Sequence, residues 1–217
     1  AEWVIGMGGL VNIGVREFTN TKQLPSLPFV INNIKLAGTS VKDDDLKRLA
    51  GLNSLTSVDL QKTLVSDTGL QYLKDIPLYF LVLGNTKITD EGLEYLTNMP
   101  GLTHLYVNNP AISNSGVERL KGMKQLVVLN LGTTQIDDLS LGYLANLTNL
   151  KTLLIYLTRI TDSGLKHLQG MKQLETLGLG STGITDAGLA QLAKHENLKS
   201  LDITNCKITD SGVEHLK

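Results

Sequence analysis

The stretch LYFLVLGNTKITDEGLEYLTNMPG, residues 78–101, decides the fold because its pattern recurs through most of the chain. Shifted by 24 residues, its apolar positions match those of LTHLYVNNPAISNSGVERLKGMKQ, residues 102–125. The frame continues in both directions and opens eight units, at Ile31, Leu55, Leu78, Leu102, Leu126, Leu150, Leu174 and Leu198. A fixed period of this length predicts a stacked repeat architecture.

Each unit changes its hydrophobic period halfway along. In the first half apolar residues alternate, as at Leu81 and Leu83, which is typical of a strand. In the second half the period is three to four residues, as at Leu93 and Leu96, which places one apolar stripe on a short helix. The pattern therefore predicts a strand, a turn and a short helix in every unit.

Such a unit cannot bury its own leucines, whose burial is worth about 1.5 to 3 kcal/mol each. The units must therefore stack on their neighbours. Stacking at a fixed period places the strands side by side in one parallel sheet. Because helices are wider than strands, we expect the helices on the convex side and the free face of the sheet on the concave side.

The recurring pattern L-x-x-L-x-L-x-x-T-x-I-T-D-x-G-L-x-x-L resembles leucine-rich repeats. Its TxITDxGLxxL part is similar to the repeats of bacterial arrays, planctomycete ones especially, and of F-box-associated leucine-rich proteins. The resemblance covers residues 31–217. It implies an α/β fold, a right-handed horseshoe-shaped solenoid, and a scaffold that carries binding surfaces.

The chain divides into two parts. Residues 1–30 are expected to cap the first repeat with a short helix that buries Trp3, a turn at Gly8 and Gly9, and a strand beside Ile31. Because the helix comes before the strand, these glycines do not have the context of a phosphate-binding loop. Residues 31–217 are the eight repeats, with no C-terminal cap. The strand near Leu201 then has a free edge, which predicts either further sequence or self-association with another copy.

Composition excludes several classes of partner. The 20 Lys and Arg nearly cancel the 21 Asp and Glu, so no overall basic field favours nucleic acid or a membrane surface. No apolar run is long enough for membrane insertion. The single cysteine, Cys206, excludes an internal disulfide. We expect a soluble protein, cytoplasmic or, if a signal peptide was removed before Ala1, extracytoplasmic.

The polar columns of the repeat predict neither a metal site nor a cofactor site. One acidic residue per unit precedes each helix, with Asn114 in one unit, and we interpret this column as helix caps instead of a calcium ladder. The glycine two positions later has a packing role, although Asp45 and Ser140 replace it in two units. The histidines do not converge on Cys206, so no catalytic site is predicted.

The strongest functional signal is on the concave side of the central strands. The end units show small or polar residues there, whereas the central units show an apolar and aromatic patch bordered by Lys87, Arg159, Asn108 and Asn109. The patch consists of Phe80, Val82, His104, Tyr106, Val128, Leu154, Tyr156 and Leu157. Exposed patches of this kind mark partner sites. We therefore predict a non-catalytic module that recognises a protein or peptide.

Two other functions stay open. A structural spacer or a ubiquitin-ligase-like adaptor fragment requires a bland concave face or a flanking F-box. The stretch LPSLPFVINNIKL, residues 24–36, fits the repeat frame better than an F-box. An enzyme requires converging acid, base or nucleophile groups. On the concave side only His104 is a candidate for such a group, and enzyme function has the least support.

Overall fold

Ten strands form one open sheet in the computed structural model, which describes residues 1–216. Eight parallel strands follow the repeats in order, and an antiparallel pair extends the sheet at its N-terminal end, beside β3. The strands are β1 Leu10–Ile13, β2 Arg16–Phe18, β3 Ile31–Lys35, β4 Ser57–Asp59, β5 Phe80–Val82, β6 His104–Tyr106, β7 Val128–Asn130, β8 Thr152–Leu154, β9 Thr176–Gly178 and β10 Ser200–Asp202.

Each repeat strand pairs with the same positions of the next one. Leu81 lies opposite Leu105, and Leu153 lies opposite Leu177. These central leucines are fully buried, and the residues on either side of them point to the opposite face of the sheet. The register therefore aligns every unit in columns, so that one sequence position forms one line across the solenoid.

Short helices form the other side of the core. They are α1 Glu2–Gly6, α2 Asp67–Leu70, α3 Leu93–Leu96, α4 Asn114–Arg119, α5 Asp138–Leu144, α6 Asp162–Leu165, α7 Asp186–Leu192 and α8 Asp210–Val213, with a 3-10 helix, Asp43–Leu49, in the first unit. In α3, for example, Leu93 and Leu96 are 0% exposed and belong to the same core as the strand leucines. The predicted solenoid, with its sheet on the concave face and its helices on the convex face, is confirmed.

The N-terminal segment packs on the first repeat, but one expectation about it is wrong. Val4 is 2% exposed, whereas Trp3 is half-buried, with the guanidinium of Arg48 5.8 Å from its ring centroid. The indole thus lies beside the core and not in it. Gly8 ends α1 with a φ of 82°, and β1 pairs antiparallel with β3. A further strand, β2, pairs with β1, although the sequence did not indicate it.

The acidic column links neighbouring units, so its interpretation as helix caps is corrected. Asp162 accepts hydrogen bonds from the backbone N–H (2.9 Å) and hydroxyl (2.6 Å) of Thr185 in the next unit. Thr185 is itself the N-cap, because its hydroxyl accepts from the N–H of Ala187. The same bond pair joins Asp43 to Ser66, Asp67 to Thr89, Asp90 to Ser113, Asp138 to Thr161 and Asp186 to Thr209. We call this line of bonds the junction ladder.

The junction ladder explains the glycine column. A Cβ atom on Gly69 would lie 2.6 Å from Oδ1 of Asp43, because the carboxylate of one unit packs on the glycine of the next. Gly92, Gly116, Gly164, Gly188 and Gly212 have the same relation to the aspartate of the preceding unit. The first-unit residue in this column, Asp45, has no repeat before it. The glycine is therefore required wherever an aspartate precedes it.

The other exception, Ser140, belongs to a matched group of three substitutions. Asn114 replaces the aspartate, and its Oδ1 accepts from the N–H of Asp137 (3.0 Å) and the hydroxyl of Ser140 (2.6 Å). Its Nδ2 donates to Asp137, which replaces the usual Ser or Thr (2.9 Å). Ser140 thus occurs where the preceding residue is an amide, and it does not show that the column tolerates side chains in general.

Candidate functional site

The eight predicted patch residues lie on the concave face in two groups. The first group, called here the Phe80 lobe, consists of Phe80, Val82, His104, Tyr106 and Val128 on β5 to β7. The second, called the Tyr156 lobe, consists of Leu154, Tyr156 and Leu157 at the end of β8 and in the turn after it. Strand alternation places them opposite the buried leucines.

Rings in contact hold the Phe80 lobe together. The ring centroid of Phe80 lies 5.9 Å from that of His104 and 5.4 Å from that of Tyr106. Tyr79, 47% exposed, meets His104 edge-on at 6.1 Å and an angle of 81°. Tyr79 was missing from the predicted patch because it precedes the strand alternation. Its aromatic ring, at a position that holds Thr56 and Thr103 in neighbouring units, could have indicated it.

Glycines make room for the Tyr156 lobe. The ring of Tyr156 lies over Gly132, and a Cβ atom on Gly178 would be 3.0 Å from Cδ2 of Leu154. Leu157 is 56% exposed and has a φ of 53°, in the left-handed region. Both properties are unfavourable for a leucine. The same turn position holds Lys62, Asn85, Thr133, Ser181 and Asn205 in other units.

Seven of the eight patch residues are half-buried, and Leu157 alone is exposed. The rings of Phe80, His104 and Tyr106 pack on one another, and Leu154 and Tyr156 pack across neighbouring glycines. Each lobe therefore offers a partner a preorganised apolar surface, because its side chains are already constrained before binding.

Two asparagine side chains lie between the lobes. Asn108 is 9% exposed and Asn130 is 8% exposed. Asn130 uses its Oδ1 to accept from the N–H of Gly132 (2.9 Å). Within residues 1–216, neither Nδ2 of Asn130 nor the amide of Asn108 forms a hydrogen bond. The floor between the lobes is thus polar, a feature that the sequence reading assigned only to the border of the patch.

The predicted border differs in other respects. Asn109 is 0% exposed, because its side chain donates to the carbonyl of Leu83 (3.0 Å) and accepts from the N–H of Thr86 (2.9 Å). Asn109 therefore holds the turn of the preceding unit and does not border the patch. Lys87 and Arg159 form parallel bridges with Ser66 and Asp137, beyond the strand turns.

The lobes contain no carboxylate, ammonium or guanidinium group. The nearest charged strand residues in their column are Asp59 on β4 and Asp202 on β10. Bonds from the hydroxyl and backbone N–H of Thr204 lower the pKa of Asp202. Lys35 at the N-terminal end is paired with Glu17 at 3.2 Å. The centre of the concave face is thus an uncharged surface with polar ends.

Of the other reactive groups, His104 belongs to the Phe80 lobe, whereas Cys206 and His195 lie apart from this surface. The Nδ1 atom of His104 is 2.8 Å from the hydroxyl of Thr103, and the thiol of Cys206 contacts the carbonyl of Leu179 at 3.2 Å. His195 is half-buried, and its pKa is lowered by burial and by the charge of Lys172. In the described part of the chain, no three His, Cys, Asp or Glu residues are grouped to hold a metal ion.

Helix length gives a further result. Among residues 1–216 no helix has the length and apolar character needed to cross a bilayer, the longest having seven residues.

The comparisons with known proteins agree with the fold. A family described as Leucine Rich repeat matches residues 194–217. An internalin (inlF) from Listeria monocytogenes has a similar structure, with a TM-score of 0.69, 26% identity, and coverage of 84% of this chain and 51% of that one. An internalin C2 (inlC2) from the same organism has a TM-score of 0.69, 25% identity, and coverage of 86% and 77%. The chain thus spans about half the length of the first structure. A search of curated proteins finds no match.

Proposed function

We propose that this chain, a leucine-rich repeat protein by its sequence pattern, its solenoid and its structural neighbours, recognises a protein or peptide through the Phe80 and Tyr156 lobes. One observation carries the proposal: apolar and aromatic side chains are concentrated on the concave face of β5 to β8. At the same positions, β3, β4, β9 and β10 have polar residues or glycine. The backbone is the same in all these strands, so stacking alone does not require the difference.

The cost of Leu157 supports a binding role. A left-handed residue other than glycine is strained, and an exposed leucine gains nothing from burial. Other units have a polar residue at this position, so they do not expose an apolar side chain there. A partner that covers Leu157 and Tyr156 would bury this surface and offset the cost. Aromatic side chains with constrained rings are also the residue type that dominates binding energy at protein interfaces.

The alternatives have less support. A spacer or adaptor fragment has no need for the two lobes, and an enzyme would need a second reactive group beside His104. The structural neighbours are internalins, a name that states no activity. We therefore base the proposal on this chain's own concave surface.

A comparison of matched variants tests the proposal. Replacing Phe80, Tyr106 and Tyr156 with Ser removes two rings from the Phe80 lobe and one from the Tyr156 lobe. The control replaces three exposed apolar residues outside the concave strand face, Leu64→Ser, Tyr95→Ser and Leu139→Ser. Native protein and both variants are used to capture partners from a lysate of the source organism, and captured proteins are quantified by mass spectrometry. Far-UV circular dichroism checks that both variants remain folded.

We expect the same partners on the native and control proteins and their loss from the concave variant. Equal capture by a folded concave variant would falsify the proposal.

A further inference from the structure

We infer that the partner presents an extended peptide segment, whose main chain pairs with the side-chain amides of Asn108 and Asn130 between the two lobes. The inference rests on the proposed function and specifies the conformation of the ligand. It also assigns a binding role to two polar residues, in addition to the apolar patch.

The two amides have hydrogen-bonding capacity that no group within residues 1–216 uses. The two residues are 9% and 8% exposed, and their unpaired amide atoms remain open to solvent on the concave side. Asn108 lies flat across Gly84, and Asn130 has committed only its Oδ1, to Gly132. A ligand that displaces water from these amides must replace the hydrogen bonds of that water, or affinity is lost. A side-chain carboxamide, like a peptide group, has an N–H donor and a C=O acceptor. The main chain of a peptide can therefore form the hydrogen bonds that both asparagine side chains leave unused.

The spacing of the two residues fits an extended chain. Asn130 lies opposite Tyr106 on the neighbouring strand, and Asn108 follows Tyr106 by two positions on the same strand. With strands about 4.8 Å apart and a rise of about 3.3 Å per residue, their Cα atoms are about 8 Å apart. In an extended peptide, the N–H and C=O groups on one edge recur every two residues, at about 6.6 Å. The asparagine side chains are long enough to make up the difference between these two distances. One edge of an extended peptide can therefore form hydrogen bonds with both asparagine amides.

The lobes lie on opposite sides of the line through Asn108 and Asn130. Phe80 and Tyr106 are on one side, and Leu154 and Tyr156 are on the other. When one edge of an extended peptide faces the amides, its side chains project alternately to the two sides. The uncharged lobes would then receive apolar side chains from alternating positions. A helical ligand does not fit, because its main-chain groups are paired internally and cannot reach the amides.

A selection experiment tests this inference. Linear random peptides displayed on phage are selected on the native protein, and the enriched peptides are synthesised with a fluorescent label. Their affinities are measured by fluorescence polarisation on native protein, on the Phe80, Tyr106 and Tyr156 triple Ser variant, on Asn108→Ala and on Asn130→Asp. Asn130→Asp retains the acceptor for Gly132, as Asp59 and Asp202 do for Gln61 and Thr204, but replaces the donor with a second, negatively charged acceptor oxygen. Asn98→Ala, an exposed site outside the sheet, is the control.

We expect enriched peptides with apolar residues at alternating positions. Both asparagine variants should weaken binding about 10- to 100-fold, because each leaves main-chain groups unpaired, whereas Asn98→Ala should not. N-methylation of the peptide N–H that donates to the Oδ1 of Asn108 should have the same effect.

The outcomes separate the two proposals. If folded asparagine variants bind normally but the triple Ser variant does not, the main-chain pairing is wrong and the proposed function stands. If the triple Ser variant binds equally well, both fail. If no linear peptide is enriched, the extended ligand is rejected in favour of a folded surface, and the lysate capture decides the proposed function.

Discussion

The junction ladder and the central concave face use the same repeat in opposite ways. In the ladder, each unit makes nearly the same contacts, and a change in one unit is matched in the next, as with Asn114, Asp137 and Ser140. On the concave face, neighbouring units differ in the size and polarity of their side chains: Phe80 lies opposite Ser57, and Leu154 lies opposite Gly178.

The difference separates stability from recognition within one repeat. A position that must satisfy the next unit is constrained by stacking, so its residue type reports on the fold. A position that faces the concave solvent side is free of that constraint, so its residue type can be selected by a partner. Substitutions in the ladder should therefore affect unfolding, and substitutions on the concave face should affect binding.

The largest effect is expected at a ladder glycine. Gly188→Ala places a methyl group against the carboxylate of Asp162 and within 2.9 Å of Cγ2 of Ile184. We expect a loss of about 2 to 3 kcal/mol in the free energy of unfolding, measured with urea. The control is Gly122→Ala, whose new Cβ would have no atom within 4 Å and which should stabilise by up to about 1 kcal/mol. Equal effects of the two substitutions would contradict the ladder explanation.

A second prediction transfers the Asn114 junction to another place. Gly188→Ser alone should cost about 2 kcal/mol, because the preceding residue is still an aspartate. Adding Asp162→Asn and Thr185→Asp recreates the Asn114, Asp137 and Ser140 set and should recover at least about 1 kcal/mol. Urea unfolding of the single and triple variants measures the recovery. If the three changes are simply additive, the three residues do not form a matched set.

A third prediction concerns a concave glycine. Gly132→Ala fills the space where the ring of Tyr156 lies and displaces that ring. Because the ring can move toward solvent, we expect less than about 1 kcal/mol of destabilisation, but a loss of about tenfold in affinity for the selected peptides. Gly170→Ala, with its nearest neighbour 3.9 Å away and outside the concave face, is the control. A large loss of stability with unchanged affinity would show that Gly132 serves folding and not binding.

The smallest effect is expected from pH. The pKa of Asp186 lies below its ordinary 3.8 because the hydroxyl and the N–H of Thr209 donate to it. At Asp43, burial raises the pKa, but bonds from Ser66 and Thr68 outweigh this, and the net pKa is lowered. Carboxylates with a lowered folded pKa stabilise the fold above their unfolded pKa, and this contribution disappears as the pH falls through the folded value.

His195 also makes the fold less stable as the pH falls, but it does so at a higher pH than the aspartates. Its pKa is lowered from 6.5, so acidification below 6.5 favours the unfolded chain, which binds the proton more readily. We expect the thermal unfolding midpoint to fall modestly below pH 6.5 and further below pH 4. The triple Ser variant should show the same profile, because its changes do not touch these groups. A midpoint that rises in acid would contradict the assignment.

Much of the fold was predictable because it depends on period. The alternation at Leu81 and Leu83 and the helical spacing of Leu93 and Leu96 indicated the solenoid, since no other arrangement buries them. The details that failed depend on geometry across units. The partner of each aspartate lies one unit away, about 23 residues along the chain, so the sequence pattern suggested a local cap instead. Trp3 was expected to be buried as it folds over the first repeat, whereas Val4, the next residue of the same helix, is the one that is 2% exposed.

The candidate surface was only partly accessible to sequence reasoning. Alternation placed Phe80, Tyr106 and Tyr156 on the concave side. It could not show that Asn109 turns into the protein while Asn108 and Asn130 remain between the lobes, because these orientations depend on how each turn packs on its neighbour. It also could not show that Gly132 provides the space for Tyr156.

The matched Asn114, Asp137 and Ser140 junction limits how the array can be lengthened or shuffled. Copies of the unit opening at Leu174 can be inserted among the last units, because each insertion recreates an aspartate followed by a threonine and a glycine. Insertion between the units at Leu102 and Leu126 would instead place Asp186 of the copy against Asp137 and Ser140. Those two units must therefore be inherited, duplicated or engineered as one block, and the recombination boundaries of the array lie outside them.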